Sequence, residues 1–332
     1  MINISSDAVR SLINYLCILG LPREHCFNTL ELKESQLNQR NLINIDKYQL
    51  LYQIAQEYFP STPIGFKYGQ HIDANRWGVL GQIAYTSQNL EQALQSQRRF
   101  QSIAGSLGVP SHTLENNRVT LTWRAAQSYN IHIAEELISS WVAFARRITC
   151  QPITPFKVWF NHSCSTATDE YTAFFNCPVE FDKEDNGLIV DATILGMPCT
   201  TANSDLNKAL KYYANGLVSQ YSIKNPVAVA KDYIASQLPT NQPSLSALSS
   251  YLNLSQRTLQ RRLMEFDTTF LQLVDIAKKE IAINYLINSQ LELQQLANLL
   301  GFSEQSAFNR AVKRWTNTSP SKYRQEHQII HF

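Results

Sequence analysis

The sequence predicts two domains, an α+β domain followed by an all-α domain in which a long helix joins two similar helical units. Three observations carry this prediction. The chain has 332 residues, more than one hydrophobic core usually organises. Residues 118–124 alternate apolar and polar side chains as a half-buried strand does, whereas the chain after Pro226 has helical periodicity throughout. The C-terminal part also contains an internal repeat.

The composition is that of an ordinary globular protein, with 44% hydrophobic and 17% charged residues. No run of 18 apolar residues occurs, so we expect no transmembrane helix, no membrane partner and a cytoplasmic location. The stretch SLINYLCILGLP at 11–22 is apolar, but no basic segment precedes it and no cleavage site follows it. We interpret it as an amphipathic helix, with a signal peptide as the alternative.

Cysteine and histidine spacing gives no sign of a metal site. The six cysteines form no CxxC pair, and the seven histidines do not cluster with them at zinc-ligand spacing. We therefore expect free, mostly buried thiols in a reducing cytoplasm, with no metal and no cofactor. The motifs GxSxG, GxxxxGK and HExxH are absent, and the prediction is that the protein is not an enzyme.

The domain boundary is predicted between residues 221 and 226, giving domains at 1–221 and 226–332. Asn-Pro at this point is a turn signal, and Pro226 suits the first position of a helix. The net charge is +2. Residues 226–332 hold 11 Lys and Arg against 8 Asp and Glu, whereas residues 1–225 hold 18 against 19. This asymmetry permits a nucleic-acid-binding C-terminal domain without requiring one.

Within the first domain, periodicity separates helices from strands. Helices are predicted at 46–59, 90–104, 130–150 and 203–219, and strands at 118–124, 156–160 and 187–191. In the first of these strands Val119, Leu121 and Trp123 form the apolar face. The order of the strands in the sheet does not follow from the sequence.

An offset of 48 residues aligns the second domain with itself. The aligned pairs are Leu245 with Leu293, Leu248 with Leu296, Ser249 with Ala297, Leu252 with Leu300, Asn253 with Gly301, Leu254 with Phe302, and Ser255 with Ser303. Asn253 and Gly301 suit the left-handed backbone of a tight turn. Ser255 and Ser303 are predicted to cap the helix that follows each turn.

Each repeat therefore has the order of a helix-turn-helix unit: a helix, a tight turn and a capped second helix. The joining helix at about 268–288 would be roughly 30 Å long at 1.5 Å per residue. That length suits two second helices that lie about one turn of DNA apart, roughly 34 Å.

The second helix of each unit has one apolar and one polar face. The apolar faces are Leu259, Leu263 and Phe266 in the first unit and Phe308, Ala311, Val312 and Trp315 in the second. The polar faces are Gln256, Arg257, Gln260 and Arg261 in the first unit and Ser306, Asn309, Arg310 and Lys313 in the second. Asn, Gln and Arg pair bidentately with base edges in the major groove, so these eight residues are the candidate DNA contacts. The cations would contact bases or phosphates, and the uncharged residues would discriminate bases. For one helix alone, a solvated surface is the alternative.

Two segments of the second domain resemble the AraC/XylS family of bacterial transcription regulators: GFSEQSAFNRAVKRWTNTSPSKYR at 301–324 and LSQRTLQRRL at 254–263. Residues 64–94 and 171–198 resemble the arabinose-binding-like N-terminal domain of a subgroup that includes ornithine-responsive regulators. The resemblance implies a sequence-specific DNA-binding transcription regulator. Its N-terminal domain would sense a small-molecule effector of unknown identity, mediate self-association, or both. Double-stranded promoter DNA is the implied partner, and RNA polymerase and a second copy of the chain are further candidates.

The sequence departs from the family pattern in two places. Asp267 stands where the turn after the first recognition helix usually carries glycine, and AKKEIA at 277–282 has lysines where arginine is usual. A lysine is a point charge and not a planar fork, so a phosphate contact from Lys278 would be less directional.

Two other functions remain open at this point. A Cys-dependent DNA alkyl-transfer protein is suggested by Cys177-Pro178 and Pro198-Cys199, although no histidine follows either cysteine and buried structural thiols are favoured. The other is an adaptor whose helices bind protein. Candidate liners of an effector pocket, none of them assigned, are His71, Arg76, Trp77, Tyr85, Arg98 and Trp123.

Overall fold

The computed structural model describes residues 2–38, 41–105, 107–125, 129–164, 168–224, 226–238, 243–252, 254–288 and 291–327. The chain forms two compact units, Met1–Leu217 and Val218–Phe332. The division falls inside a helix, Ser204–Lys224, a few residues before the predicted boundary. The predicted fold class is confirmed: an α+β unit with a sheet precedes an all-α unit.

The first unit contains both helices and strands. Its helices are α1 (Ser6–Ile18), α2 (Arg23–Leu30), α3 (Glu34–Asn38), α4 (Ile45–Tyr58), α5 (Ile64–His71), α6 (Val79–Tyr85), α7 (Leu90–Phe100), α8 (Ile131–Thr149), α9 (Thr168–Phe175) and the first part of α10 (Ser204–Lys224). Its strands are β1 (Asn3–Ser5), β2 (Leu42–Asn44), β3 (Gly108–Glu115), β4 (Arg118–Ala125), β5 (Lys157–Trp159), β6 (Val179–Glu180) and β7 (Asn186–Asp191). Short 3₁₀ helices occur at Ala74–Trp77, Gln101–Ile103 and Ala192–Gly196.

The larger sheet has the strand order β3-β4-β7-β5-β6. Its pairs are antiparallel except for β5 with β6, which is parallel. Strand β4 lies between β3 and β7, so Leu121 is paired with His112 on one side and Leu188 on the other. Alternation along β4 therefore places Val119, Leu121 and Trp123 on one face, as predicted. The other pair, β1 with β2, forms a separate two-stranded antiparallel sheet.

Helices α5 and α8 pack at unusually close range because two glycines of α5 lack side chains. A Cβ atom on Gly65 would lie 2.0 Å from the carbonyl oxygen of His132, and one on Gly69 would lie 1.9 Å from Ser139 Oγ. Both glycines belong to the stretch at 64–94 that carries the family resemblance. Their role is therefore to admit α8 into the core of the first unit.

The second unit is helical. Its helices are α11 (Pro226–Gln237), α12 (Leu245–Tyr251), α13 (Gln256–Met264), α14 (Phe270–Asn288), α15 (Leu293–Leu299), α16 (Gln305–Thr316) and α17 (Pro320–His327). Helices α12 and α13 form the first helix-turn-helix unit, and α15 and α16 form the second. The joining helix α14 has 19 residues, which is roughly 28 Å at 1.5 Å per residue.

The turns and caps follow the predictions at most positions. Gly301 has φ 68°, so the turn before α16 is left-handed, and Asp267 adopts φ 52° where the family usually has glycine. Ser255 caps α13, because its side chain accepts a hydrogen bond from the amide of Thr258 at 3.1 Å. Asn253, predicted to form the first turn, lies outside the described residues.

Two predictions about the repeat are wrong. Ser303 does not cap α16: the second turn is one residue longer than the first, and Glu304 occupies the N-cap position without accepting a hydrogen bond from a backbone amide of the helix. Phe266 does not face inward, since its side chain is 49% exposed. Helix α13 ends at Met264, so the helical periodicity that would bury Phe266 has already stopped.

Candidate functional sites: two polar helix faces and an apolar cavity

The predicted polar face of α13 is at the surface. Gln256, Arg257, Gln260 and Arg261 are all exposed, whereas Leu259 and Leu263 on the same helix are fully buried. The face is held in this orientation by those two leucines and by the Ser255 cap. The helix therefore exposes its amide and guanidinium groups together on one face.

Helix α16 has the same division with one modification. Ser306, Arg310 and Lys313 are exposed, and Phe308 and Val312 are fully buried. Asn309 is half-buried, and its Oδ1 atom is enclosed without a hydrogen-bond partner within the described structure. Asn309 therefore lies at the edge of the polar face, at the boundary with the buried face of the helix.

The cations of the two faces differ in how they are balanced. Arg261 Nε lies 3.8 Å from Glu265 Oε1 in an exposed pair, which is worth little in water. In the described part of the chain, no acidic side chain lies within 4 Å of Arg257, Arg310 or Lys313. These three cations are therefore available to an anionic partner.

A contact to the joining helix fixes α16 at its C-terminal end. Asp275 of α14 accepts hydrogen bonds from Arg314 and from Trp315 Nε1, the latter at 3.0 Å. Three residues further along α14, Lys278 Nζ lies 4.5 Å from the centroid of the Phe302 ring. Burial lowers the pKa of Lys278. Arg314 and Lys278 are thus engaged in holding the second unit together.

The first unit contains a partly open cavity of about 240 Å³. The elements around it are α6, α7 and α8 together with β3, β4 and β7. Val119, Leu121 and Trp123 contribute from β4, and Trp141 and Phe144 contribute from α8. Of the six candidate liners, Arg76, Trp77, Arg98 and Trp123 border this cavity. His71 instead stacks on Tyr15, and Tyr85 lies at the surface.

A charged network lies beside the cavity. Glu136 of α8 accepts hydrogen bonds from Arg76 at one carboxylate oxygen and from Tyr48 and Tyr52 at the other, all at 2.7 Å. Burial raises the pKa of both tyrosines well above the ordinary value, so they remain donors. Burial also opposes the charge of Arg76, but the nearby carboxylate of Glu136 outweighs it and the pKa of Arg76 is raised. The sequence did not predict this network.

Neither proline-flanked cysteine has the environment of a nucleophile. Burial raises the pKa of Cys177 to about 11, even though the charge of Arg146 partly opposes the shift. Burial likewise raises the pKa of Cys199. Because the thiolate is the reactive form, both thiols are poorly suited to attack at neutral pH.

The described residues form neither a metal site nor a membrane-spanning helix. No three His, Cys, Asp or Glu side chains lie together in a way that could hold a metal ion there. None of the helices in the described ranges has the length and apolarity needed to cross a bilayer.

Comparison with known proteins gives two family matches. Residues 20–199 match the family described as "Arabinose-binding domain of AraC transcription regulator, N-term", and residues 248–326 match a helix-turn-helix domain family. The chain is 26% identical over 322 residues to the Ornithine utilization regulator of Pseudomonas aeruginosa, covering 95% of this chain and 94% of that protein. It is 28% identical over 266 residues to the HTH-type transcriptional regulator VirS of Mycobacterium tuberculosis, covering 75% of this chain and 76% of VirS.

Among solved structures, the transcriptional regulator CdpR from Pseudomonas aeruginosa aligns over 96% of this chain and 98% of its own, with 20% sequence identity and a TM-score of 0.46.

Proposed function

The chain belongs to the family of AraC transcription regulators, and from this premise we propose that the polar faces of α13 and α16 contact two successive major-groove segments of promoter DNA. One observation carries the proposal: each face exposes Gln, Arg, Ser or Lys side chains on a helix whose opposite side is buried in a helix-turn-helix unit. Arg257, Arg310 and Lys313 lack acidic partners in the described structure, which supports contact with a polyanion.

Within these faces we assign roles by side-chain chemistry. Arg257, Arg261, Arg310 and Lys313 contact bases or phosphates. Gln256, Gln260, Ser306 and Asn309 discriminate bases, since their amides and hydroxyls donate and accept hydrogen bonds at base edges. Ser306 already donates to Glu304 Oε2 at 3.0 Å, so it must exchange that bond for one to DNA.

We also propose that the cavity of the first unit binds the effector. Concave apolar pockets with a few polar groups are typical of small-molecule sites, and this one has aromatic walls from both the sheet and α8. The regulator would act in the cytoplasm without catalysing a reaction. A second copy of the chain and RNA polymerase are the expected protein partners of such a regulator.

The test uses the full-length protein and a duplex selected from a random pool, with a scrambled duplex as competitor. Arg310→Ala should weaken binding to the selected duplex by about 1–3 kcal/mol and leave binding to the scrambled duplex nearly unchanged. Lys322→Ala is the matched control, because Lys322 is an exposed cation on α17 and belongs to neither polar face. Fluorescence anisotropy at several salt concentrations provides the readout.

Three outcomes are informative. A uniform loss on both duplexes with a shallower salt dependence would make Arg310 a phosphate contact. No loss on either duplex would reject its placement at the DNA interface. Failure to select any duplex from the pool would reject DNA binding and favour an adaptor. For the non-enzymatic part of the proposal, mass spectrometry after incubation with methylated DNA should show an unmodified protein, and a methyl adduct on Cys177 or Cys199 would contradict it.

A further inference from the structure

The cavity wall in the first unit is hydrocarbon over most of its extent. Leu121 and Trp123 of β4 and Trp141 and Phe144 of α8 provide aromatic and aliphatic surface. Removing apolar surface of a ligand from water is favourable by roughly 25 cal/mol per Å². Such a wall therefore selects a ligand with a substantial hydrocarbon body.

The polar groups of the wall are few, and several are already used by the protein. Ser111 Oγ is bonded to Thr122 Oγ1 at 2.6 Å, and Gln101 donates to the carbonyl oxygen of Gly108 at 3.0 Å. A ligand with many hydroxyl groups would leave most of them without partners, and each unpaired polar group would cost binding free energy.

One side chain of the wall carries a charge that nothing nearby balances. Arg98 of α7 borders the cavity, and no acidic side chain in the described residues lies within 4 Å of it. Arg76 also borders the cavity, but its charge is balanced by Glu136 at 2.6 Å. The adjacent Arg99 is exposed and donates to Asn215 Oδ1 at 3.0 Å.

Among the described residues, the lining supplies cationic side chains but no acidic one. None of the described residues that border the cavity is an aspartate or a glutamate. An ammonium group inside the cavity would therefore have no anionic partner and would lie near Arg98, which has the same charge. This composition disfavours ornithine and other cationic amino acids, despite the similarity of the chain to an ornithine utilization regulator.

We infer that the cavity takes a singly charged apolar carboxylate, with the carboxylate paired to Arg98 and the hydrocarbon body against Trp123 and Trp141. The guanidinium fork matches a carboxylate in two parallel hydrogen bonds. A doubly charged, strongly hydrated phosphate would be balanced only in part by one arginine. The inference rests on the proposed function in one respect, namely that this cavity is the effector site.

The experiment measures binding of defined probes to the full-length protein by isothermal titration calorimetry. Octanoate represents aliphatic carboxylates and 4-phenylbutyrate represents aromatic ones, while octan-1-ol, octylamine and ornithine lack the negative head group or the apolar body. At least one carboxylate should bind about tenfold or more tightly than octan-1-ol, the factor expected for a hydrogen bond to a charged group. Neither octylamine nor ornithine should compete with it.

Two variants then test whether Arg98 pairs with the carboxylate. Arg98→Met should reduce carboxylate affinity about tenfold or more, to the level of octan-1-ol, while octan-1-ol binding persists. Arg99→Met, the adjacent exposed arginine, should bind both probes like the wild type. Persistence of octan-1-ol binding in Arg98→Met also shows that the cavity is still folded.

The inference is overturned if no carboxylate binds, if octylamine or ornithine binds more tightly than both carboxylates, or if Arg98→Met leaves carboxylate affinity unchanged. DNA binding is measured separately on the same preparations without ligand. Normal DNA binding without carboxylate binding rejects this inference alone. Carboxylate binding without DNA binding rejects the proposed DNA interface alone.

Discussion

Arg76 and Glu136 form an ion pair inside the first unit, with Nη2 and Oε1 2.6 Å apart and side chains only 3% and 1% exposed. Arg76 lies in the 3₁₀ helix at Ala74–Trp77, and Glu136 lies in α8. The pair therefore ties the segment before α6 to the helix that forms one wall of the cavity. Tyr48 and Tyr52 of α4 complete the coordination of the carboxylate.

Removing Arg76 should destabilise the first unit strongly. In Arg76→Met the carboxylate of Glu136 would stay buried without its cation, and we expect a loss of about 3–5 kcal/mol in the free energy of unfolding. The exposed pair Lys67–Glu170 provides the control, and Lys67→Met should cost about 1 kcal/mol or less. Urea unfolding followed by tryptophan fluorescence measures this, because four of the five tryptophans lie in the first unit. Equal losses of unfolding free energy in the two variants would contradict the burial of the Arg76–Glu136 pair.

The close packing of α5 on α8 gives a second prediction. An alanine at Gly65 would place its Cβ 2.0 Å from a backbone carbonyl oxygen, so the two helices must move apart. We expect Gly65→Ala to cost about 1–3 kcal/mol in unfolding free energy. Gly216 in α10 has open space around it, and Gly216→Ala should stabilise the protein by about 0.5–1 kcal/mol. Stabilisation by Gly65→Ala would show that the helices are not in contact there.

Asp275 should affect DNA binding without touching DNA. It accepts hydrogen bonds from Arg314 and Trp315, so Asp275→Ala frees the end of α16 and should cost about 1 kcal/mol in stability. Affinity should fall for the selected and the scrambled duplex alike, since the whole helix loses its orientation. Glu280→Ala removes an exposed carboxylate of the same charge from α14 and should not lower stability. Circular dichroism in urea and fluorescence anisotropy provide the measurements.

The stability of the first unit should depend on pH through His112. Burial, and next the positive charge of Arg98, lower the pKa of His112 below its ordinary value of 6.5. The unfolded chain then binds the proton more readily than the folded protein. Stability is therefore complete above pH 6.5 and is lost as the pH falls from 6.5 toward the lowered pKa.

Comparison of the wild type with His112→Asn at pH 7.5 and pH 5.5 measures this effect. The loss of unfolding free energy on acidification should be smaller in His112→Asn, because the group that resists protonation is gone. The values at pH 7.5 report the packing cost of the substitution by itself. An equal loss of unfolding free energy in both proteins would show that His112 does not cause the pH dependence.

Local sequence patterns predicted the helices of the second unit well. Features that depend on contacts between residues far apart in sequence were not predicted. Leu259 and Leu263 are buried as expected, because a 3.6-residue period depends only on near neighbours in sequence. Strand β3 was not predicted, since Gly108 and Pro110 weaken its pattern and its pairing with β4 stabilises it.

The buried charge of Glu136 was not predicted either, because its partners lie far away in sequence. Glu136 lies in a helix whose charged residues would ordinarily be assigned to solvent. Its partners Arg76 and Tyr48 are 60 and 88 residues away in sequence, so no local signal marks the network. Trp123, on the apolar face of β4, was among the candidate liners named from the sequence, and it does border the cavity.

The unbalanced charge of the cavity and its aromatic wall come from different residues on different elements. Arg98 belongs to α7, which also lends Leu90, Ala93 and Leu94 to the wall, whereas most of the hydrocarbon wall comes from other elements, β4 and α8 among them. Under the proposed assignment, a single codon change at Arg98 alters which ligand charge is accepted while the wall is kept. Under the same assignment, a change at Trp141 alters which ligand size is accepted while the charge preference is kept. Related proteins with this fold could then change their preference for ligand charge and for ligand size independently. The same independence makes the cavity a practical starting point for engineered biosensors.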